Sequence, residues 1–178
     1  NQSAYKHGRT ETIRTTTIES HKMCQTFEDK SASKADKDAA LRVAVKNHGA
    51  ITKKALMGAG WDRHMFALKY EAGQQGLPLP GIYQDKSYVK LSEIILSTST
   101  LSSPNIEGGG FGPVGQNCYG IGYTSGALRG IYDPSVKGQS GMGCAVMSYK
   151  RNTKGFVDSI EQSVKDICEV LGPKEAKK

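Results

Sequence analysis

At about 150 residues per domain, a chain of 178 residues is roughly one domain, long enough to bury a core without disulfide or metal staples. Charged residues at 23% and hydrophobic residues at 37% exclude a disordered chain. No apolar run approaches the roughly 20 residues that a membrane-spanning helix requires.

The net charge of +7, from 24 Lys and Arg against 17 Asp and Glu, invites a nucleic-acid reading. The basic residues are scattered, however, and no aromatics interleave with a basic stripe. Lys174, Lys177 and Lys178 form a solvated tail. Nucleic acid is therefore set aside in favour of an anionic small substrate or a membrane surface. Cys24, Cys118, Cys144 and Cys168 form no C-x-x-C pair and have no histidine at zinc spacing. Reduced, buried thiols are the expectation, with no metal site. Glycine, at 21 residues, is in excess and implies tight turns or backbone held close to something else.

In chain order, Thr10 to Thr16 reads as a short extended strand, with Thr10, Thr12 and Arg14 on one face. Ser31 to Asp38 reads as a polar loop. Leu41, Val45, His48, Ile51 and Ala55 then fall at helical spacing from Ala39 to Met57, and Gly58 and Gly60 end that helix. Asp62 reads as the N-cap of a second helix through about Gln74, stopped at Gly76. Leu77 to Pro80 is a connector. Glu93 to Thr100 reads as a strand, apolar first and hydroxyl-rich after, and Ser103 to Gly115 as a loop. Further strands are expected at Gly120 to Tyr123 and at Gly141 to Tyr149. Val157, Ile160, Val164, Ile167 and Leu171 mark a closing helix, with Gly172-Pro173 as its stop. The fold class is α/β, a mixed sheet flanked by helices.

Gly110-Phe-Gly112-Pro-Val-Gly115 matches G-x-G-x-x-G, but a loop precedes it and Pro113 interrupts it, so a dinucleotide site is rejected. None of His7, His21, His48 and His64 stands in a recognisable catalytic context. His48 is expected to be packed or half-exposed, and His64 to make a local hydrogen bond. Ser97 and Ser99 share a strand face, where hydroxyls either stabilise an oxyanion or simply decorate an edge strand. Arg63 stands in the first turn of a helix, against the dipole. It calls for an anion, either a ligand's or that of a neighbouring carboxylate.

Four ordered segments carry a resemblance. KHGRTETIR (Lys6 to Arg14), DRH (Asp62 to His64), LSTST (Leu96 to Thr100) and GGFGPV (Gly109 to Val114) resemble the C-terminal portion of the carnitine/choline O-acyltransferases. The likeness runs from about Tyr5 to Leu171. ILSTSTLSSP, MGAGWDRH and GCAVMSYKRN look most like the palmitoyl-transferring mitochondrial branch.

That resemblance implies a chloramphenicol-acetyltransferase-like, coenzyme A-dependent acyltransferase fold. Residues 1–178 would be its C-terminal part, lacking the half with the catalytic histidine and so expected to be inactive alone. Within the resemblance, Ser99 donates to the oxyanion, Thr10 and Arg63 hold the carnitine carboxylate, and Ser97 lies near carnitine. Phe111 stands beside the trimethylammonium, and Gly109 and Gly110 keep an acyl tunnel open. The implied partners are carnitine, acyl-CoA and the missing N-terminal part, with membrane contact through that part. Coenzyme A enters as substrate, and no permanent cofactor is implied. The implied location is the matrix side of the mitochondrial inner membrane, and Ala176-Lys-Lys is not a peroxisomal terminus. An octanoyl-transferring enzyme and a non-catalytic acyl- or carnitine-binding module are the alternatives. Two departures stand out: Gln116-Asn117-Cys118-Tyr119-Gly120 replaces the family's Pro-Asp-Gly-Tyr-Gly, which puts that turn in question, and Gly49 replaces an arginine of acetyl-specific members.

Overall fold

The computed structural model describes residues 11–100, 109–126 and 141–172. The chain divides into two compact units, Asn1–Tyr83 with Asp166–Lys178, and Gln84–Lys165. Among the described residues there are five α-helices and three strands, a mixed α/β composition as expected. No helix among them is long and apolar enough to cross a membrane.

In the first unit, residues 11–17 form no strand. Their polar groups are used in tertiary bonds instead of a ladder, as the site geometry below shows. The segment ends at Thr17, which caps a helix that the apolar spacing does not announce, α1 (Ile18–Glu28). Its signal is a reciprocal cap: the Ser20 N–H donates to Thr17 Oγ1 at 3.2 Å and the Thr17 N–H to Ser20 Oγ at 2.8 Å. Helix α2 (Lys34–Leu56) begins five residues before the expected start, inside the supposed loop. Ser33 and Asp36 form the same reciprocal box there, with the Ser33 N–H donating to Asp36 Oδ2 at 3.0 Å. Local side-chain bonds, more than apolar spacing, set both helix starts. Leu41, Ala44 and Ala55 are the buried face of α2.

Helix α3 (Asp62–Gln74) has Trp61 as its N-cap, so Asp62 is its first residue rather than its cap. Gly58 and Gly76 follow α2 and α3 with positive φ of 71° and 65°, at the stops expected from sequence. After the connector, Gly81–Gln84 makes a 3-10 turn whose Tyr83 is buried, its hydroxyl donating to the Met65 carbonyl at 2.8 Å.

The second unit opens with α4 (Lys86–Ser92), also unanticipated and capped by Asp85. Asp85 Oδ1 accepts from the Ser87 N–H at 2.8 Å and the Tyr88 N–H at 3.2 Å. The Tyr88 and then the Ser87 backbone donors hold this carboxyl below the ordinary aspartate range. A lowered folded-state pKa contributes stability above the unfolded value and loses it as pH falls through the folded one. The thermal midpoint is therefore expected to drop as pH is taken below about 4. Asp85→Asn, which still caps but carries no charge, should flatten that drop, and a melting series from pH 6 to pH 3 measures it.

The sheet of this unit has the order β1-β2-β3. It comprises β1 (Leu96–Thr100), β2 (Tyr119–Gly126) and β3 (Gly141–Met147). β1 runs parallel to β2, and β2 antiparallel to β3. The closing helix α5 (Thr153–Leu171) carries the expected apolar stripe and ends at Gly172, at φ 68°. Before β2, the departure at Gln116 to Cys118 forms a closed turn. Cys118, 1% exposed, accepts from the Gly115 N–H at 3.0 Å and donates to its carbonyl at 3.2 Å through Sγ. Burial of thiols holds only there, because Cys24 and Cys168 are exposed and Cys144 is half-buried. The thiols of α1 and α5 lie off the packed side of their helices.

Candidate functional site: a glycine strap over a hydroxyl row

Strand pairing aligns two rows across the sheet. Ser97 is in register with Gly120 and Gly120 with Met147, while Ser99 aligns with Gly122 and Gly122 with Ala145. Residues in register on neighbouring strands project to the same face. Ser97, Ser99, Ala145 and Met147 thus share one face, with two glycines between them.

That gap is filled by backbone. A Cβ on Gly120 would lie 2.6 Å from the Phe111 carbonyl oxygen and 2.9 Å from Gly112 C. One on Gly122 would collide with Gly109 O and lie 3.0 Å from Gly110 Cα. Residues Gly109 to Gly112 therefore strap across β2 at a distance that only glycine beneath permits. The Ser97/Ser99 row flanks the strap on one side and Ala145 and Met147 on the other. Ser97 is half-buried, Ser99 exposed and Phe111 half-buried. Five of the seven expected site residues, Ser97, Ser99, Gly109, Gly110 and Phe111, are thus brought to one sheet face.

On the opposite face of the sheet, Tyr119 stacks on Phe156 with ring centroids 4.5 Å apart, and its hydroxyl donates to the Asn152 carbonyl at 3.2 Å. The Arg151 guanidinium lies 5.7 Å from the Tyr119 ring centroid.

Arg63 belongs to the first unit, where the N-terminal turn of α3 is built from the segment before α1. Glu11, 6% exposed, accepts from the Arg63 backbone N–H at 3.2 Å and from the Thr12 N–H at 2.9 Å. It does for α3 what Trp61 cannot, placing a carboxylate at the positive end of the helix. Gly60 leaves the room, since a Cβ there would run into the Glu11 side chain. Arg14 Nε donates to Asp62 Oδ1 at 3.1 Å and Oδ2 at 3.0 Å, its Nη2 also reaches Oδ1, and its guanidinium lies 5.7 Å from the Trp61 ring. The turn bearing Arg63 is thus fixed through its backbone and its neighbours. The Arg63 side chain is exposed. Thr10 and His7 lie outside the described residues.

His21, His48 and His64 are all exposed, so the packed or half-exposed His48 expected from its spacing is not found. By helical spacing position 48 falls on the same face as Leu41, Ala44 and Ala55, so that face is left uncovered at the turn bearing His48. Gly49 on the same helix has open space around its Cα. Among the described residues, no three His, Cys, Asp or Glu side chains group as a metal site.

Sequence reasoning overlooked Glu11, Arg14, Asp62 as a partner, Gly120, Gly122 and Met147. The alternation Tyr119-Gly-Ile-Gly-Tyr was the available signal for the two β2 glycines.

Residues 1–161 match the choline/carnitine O-acyltransferase family. The chain belongs to that family. It is 43% identical to a protein described as mitochondrial carnitine O-palmitoyltransferase 2 of Xenopus tropicalis, over 98% of this chain and 25% of the relative. The protein of the same description from Mus musculus is 39% identical over the same shares. A putative mitochondrial carnitine O-acetyltransferase of Saccharomyces cerevisiae is 35% identical, over 98% of this chain and 24% of its own length. The chain spans about a quarter of the length of these curated relatives. The strap and the hydroxyl row therefore sit in a chain of the choline/carnitine O-acyltransferase family.

Proposed function

We propose that this chain is the C-terminal part of a mitochondrial carnitine acyltransferase that exchanges long acyl chains between coenzyme A and carnitine. It would have the chloramphenicol-acetyltransferase-like fold and work on the matrix side of the inner membrane. A histidine from another part of the enzyme takes the proton of the carnitine hydroxyl, and the oxygen attacks the thioester carbonyl. Ser99 donates to the resulting oxyanion, and the coenzyme A thiolate leaves with the proton returned by the same histidine. Arg63 and Thr10 hold the carnitine carboxylate, Ser97 lines the carnitine site, and Phe111 faces the trimethylammonium. By itself the chain lacks the base and is inactive.

The observation that carries this reading is the strap of Gly109 to Gly112 beside the Ser97/Ser99 row. It brings Ser99, Gly109 and Gly110 onto one face, which supports reading them as the oxyanion donor and the two tunnel glycines. Two adjacent residues without side chains support reading the strap as the wall along which an acyl tail passes, and each buried methylene contributes about 0.8 kcal/mol. Gly109→Met in the full-length enzyme should lower the ratio of kcat/KM for palmitoyl over butyryl substrate at least about tenfold, the equivalent of two methylenes lost. An unchanged ratio in a folded variant would place the tunnel elsewhere and remove the long-chain assignment.

A further inference from the structure

Met147 closes the last strand of the sheet and is 43% exposed. It shares the face of Ser97 through Gly120. Its Cε lies 3.0 Å from where a Cβ on Gly110 would stand, and Ala145 Cβ lies 3.2 Å from the same point. The place a side chain would take at position 110 is thus already filled by a small side chain and the end of an unbranched one. Methionine is unbranched, with a polarisable thioether that fits irregular apolar space and moves out of it at low cost. Together Gly110, Ala145 and Met147 make an apolar strip along the strap, on the side away from the serines.

We propose that Met147 is a specificity-determining residue, its thioether lining the acyl tunnel at Gly110 and setting the chain length that fits best. The proposal rests on the reading of Gly109 and Gly110 as the tunnel. The occupant is the methylene chain of the acyl group, the only part of an acyl-CoA or acylcarnitine whose chemistry suits an uncharged strip of this kind. Met147 rotates aside or packs along the chain, so the limit it sets is graded by its volume. Shortening the side chain lengthens the tunnel, and replacing it with a rigid ring shortens it.

The test measures kcat/KM for palmitoyl and octanoyl substrates with the full-length enzyme and its Met147→Ala, Met147→Phe and Gly109→Met variants, each checked for an intact melting transition. Met147→Ala should raise the palmitoyl-to-octanoyl ratio about fourfold for each further methylene accommodated, and Met147→Phe should lower it by a similar factor. Ratios within about twofold of wild type in both Met147 variants, with Gly109→Met lowering the ratio, would overturn the role of Met147 and leave the tunnel standing. Unchanged ratios in all three variants would overturn the tunnel reading and this inference with it.

Discussion

Ser99→Ala should lower kcat about 10²–10³-fold while the KM for carnitine stays nearly constant, because an oxyanion donor acts mainly when charge develops in the transition state. The structure gives the serine a fixed frame from which to act. Its strand is paired along its whole length with β2, and the Tyr119 N–H donates to the Ile95 carbonyl at 2.8 Å just before β1 begins. The strap over Gly120 and Gly122 keeps backbone, not bulk, beside the hydroxyl. A preorganised donor needs no rearrangement as the reaction proceeds, which is why its removal is expected to appear in kcat. Ser97→Ala, one register step away, should have a smaller effect, weighted towards carnitine binding. Steady-state kinetics on the two variants of the full-length enzyme separate these roles. A rise in KM alone for Ser99→Ala would assign that serine to binding.

Arg63→Ala should act on the other parameter. The carnitine carboxylate is charged in substrate, transition state and product, so losing its partner removes uniform binding and raises KM with little change in kcat. Leaving a desolvated carboxylate unpaired costs roughly 2–5 kcal/mol, so the KM should rise at least about 30-fold. The local structure makes this substitution interpretable. Glu11 caps α3 through the backbone N–H of residue 63, and Arg14 holds Asp62, so neither bond needs the Arg63 side chain. The helix start therefore keeps both of these bonds in the variant, and a melting transition alongside a carnitine titration of initial rates separates fold from binding. Arg63→Lys should recover only part of the affinity, since an ammonium lacks the planar fork that meets a carboxylate with two parallel bonds.

The sheet and the closing helix were legible in the sequence because their patterns repeat. The apolar stripe of α5 and the runs that mark β1 to β3 each involve several residues, and Gly172 marks the end of the helix. α1 and α4 were not legible, because each rests on one or two side-chain caps, at Thr17 and Asp85, rather than on apolar periodicity. Thr10 to Thr16 read as a strand on composition alone. Glu11 and Arg14 instead bond across 52 and 48 positions to the start of α3, a partnership that no local pattern encodes. At the site, the order of motifs marked Ser97, Ser99, Gly109, Gly110 and Phe111 as expected site residues. Only strand register showed that they share a face, and that Gly120 and Gly122 are glycine because a second backbone lies on them. Met147 had no sequence signal, since its significance comes from contact with a residue 37 positions earlier.

The central claim is tested most directly by following free thiol released from palmitoyl-CoA by the full-length protein, with and without carnitine. The account predicts release that requires carnitine, yields palmitoylcarnitine in equal amount and runs backwards when palmitoylcarnitine and coenzyme A are supplied. Thiol release at the same rate without carnitine, or none at all from folded full-length protein, would contradict it.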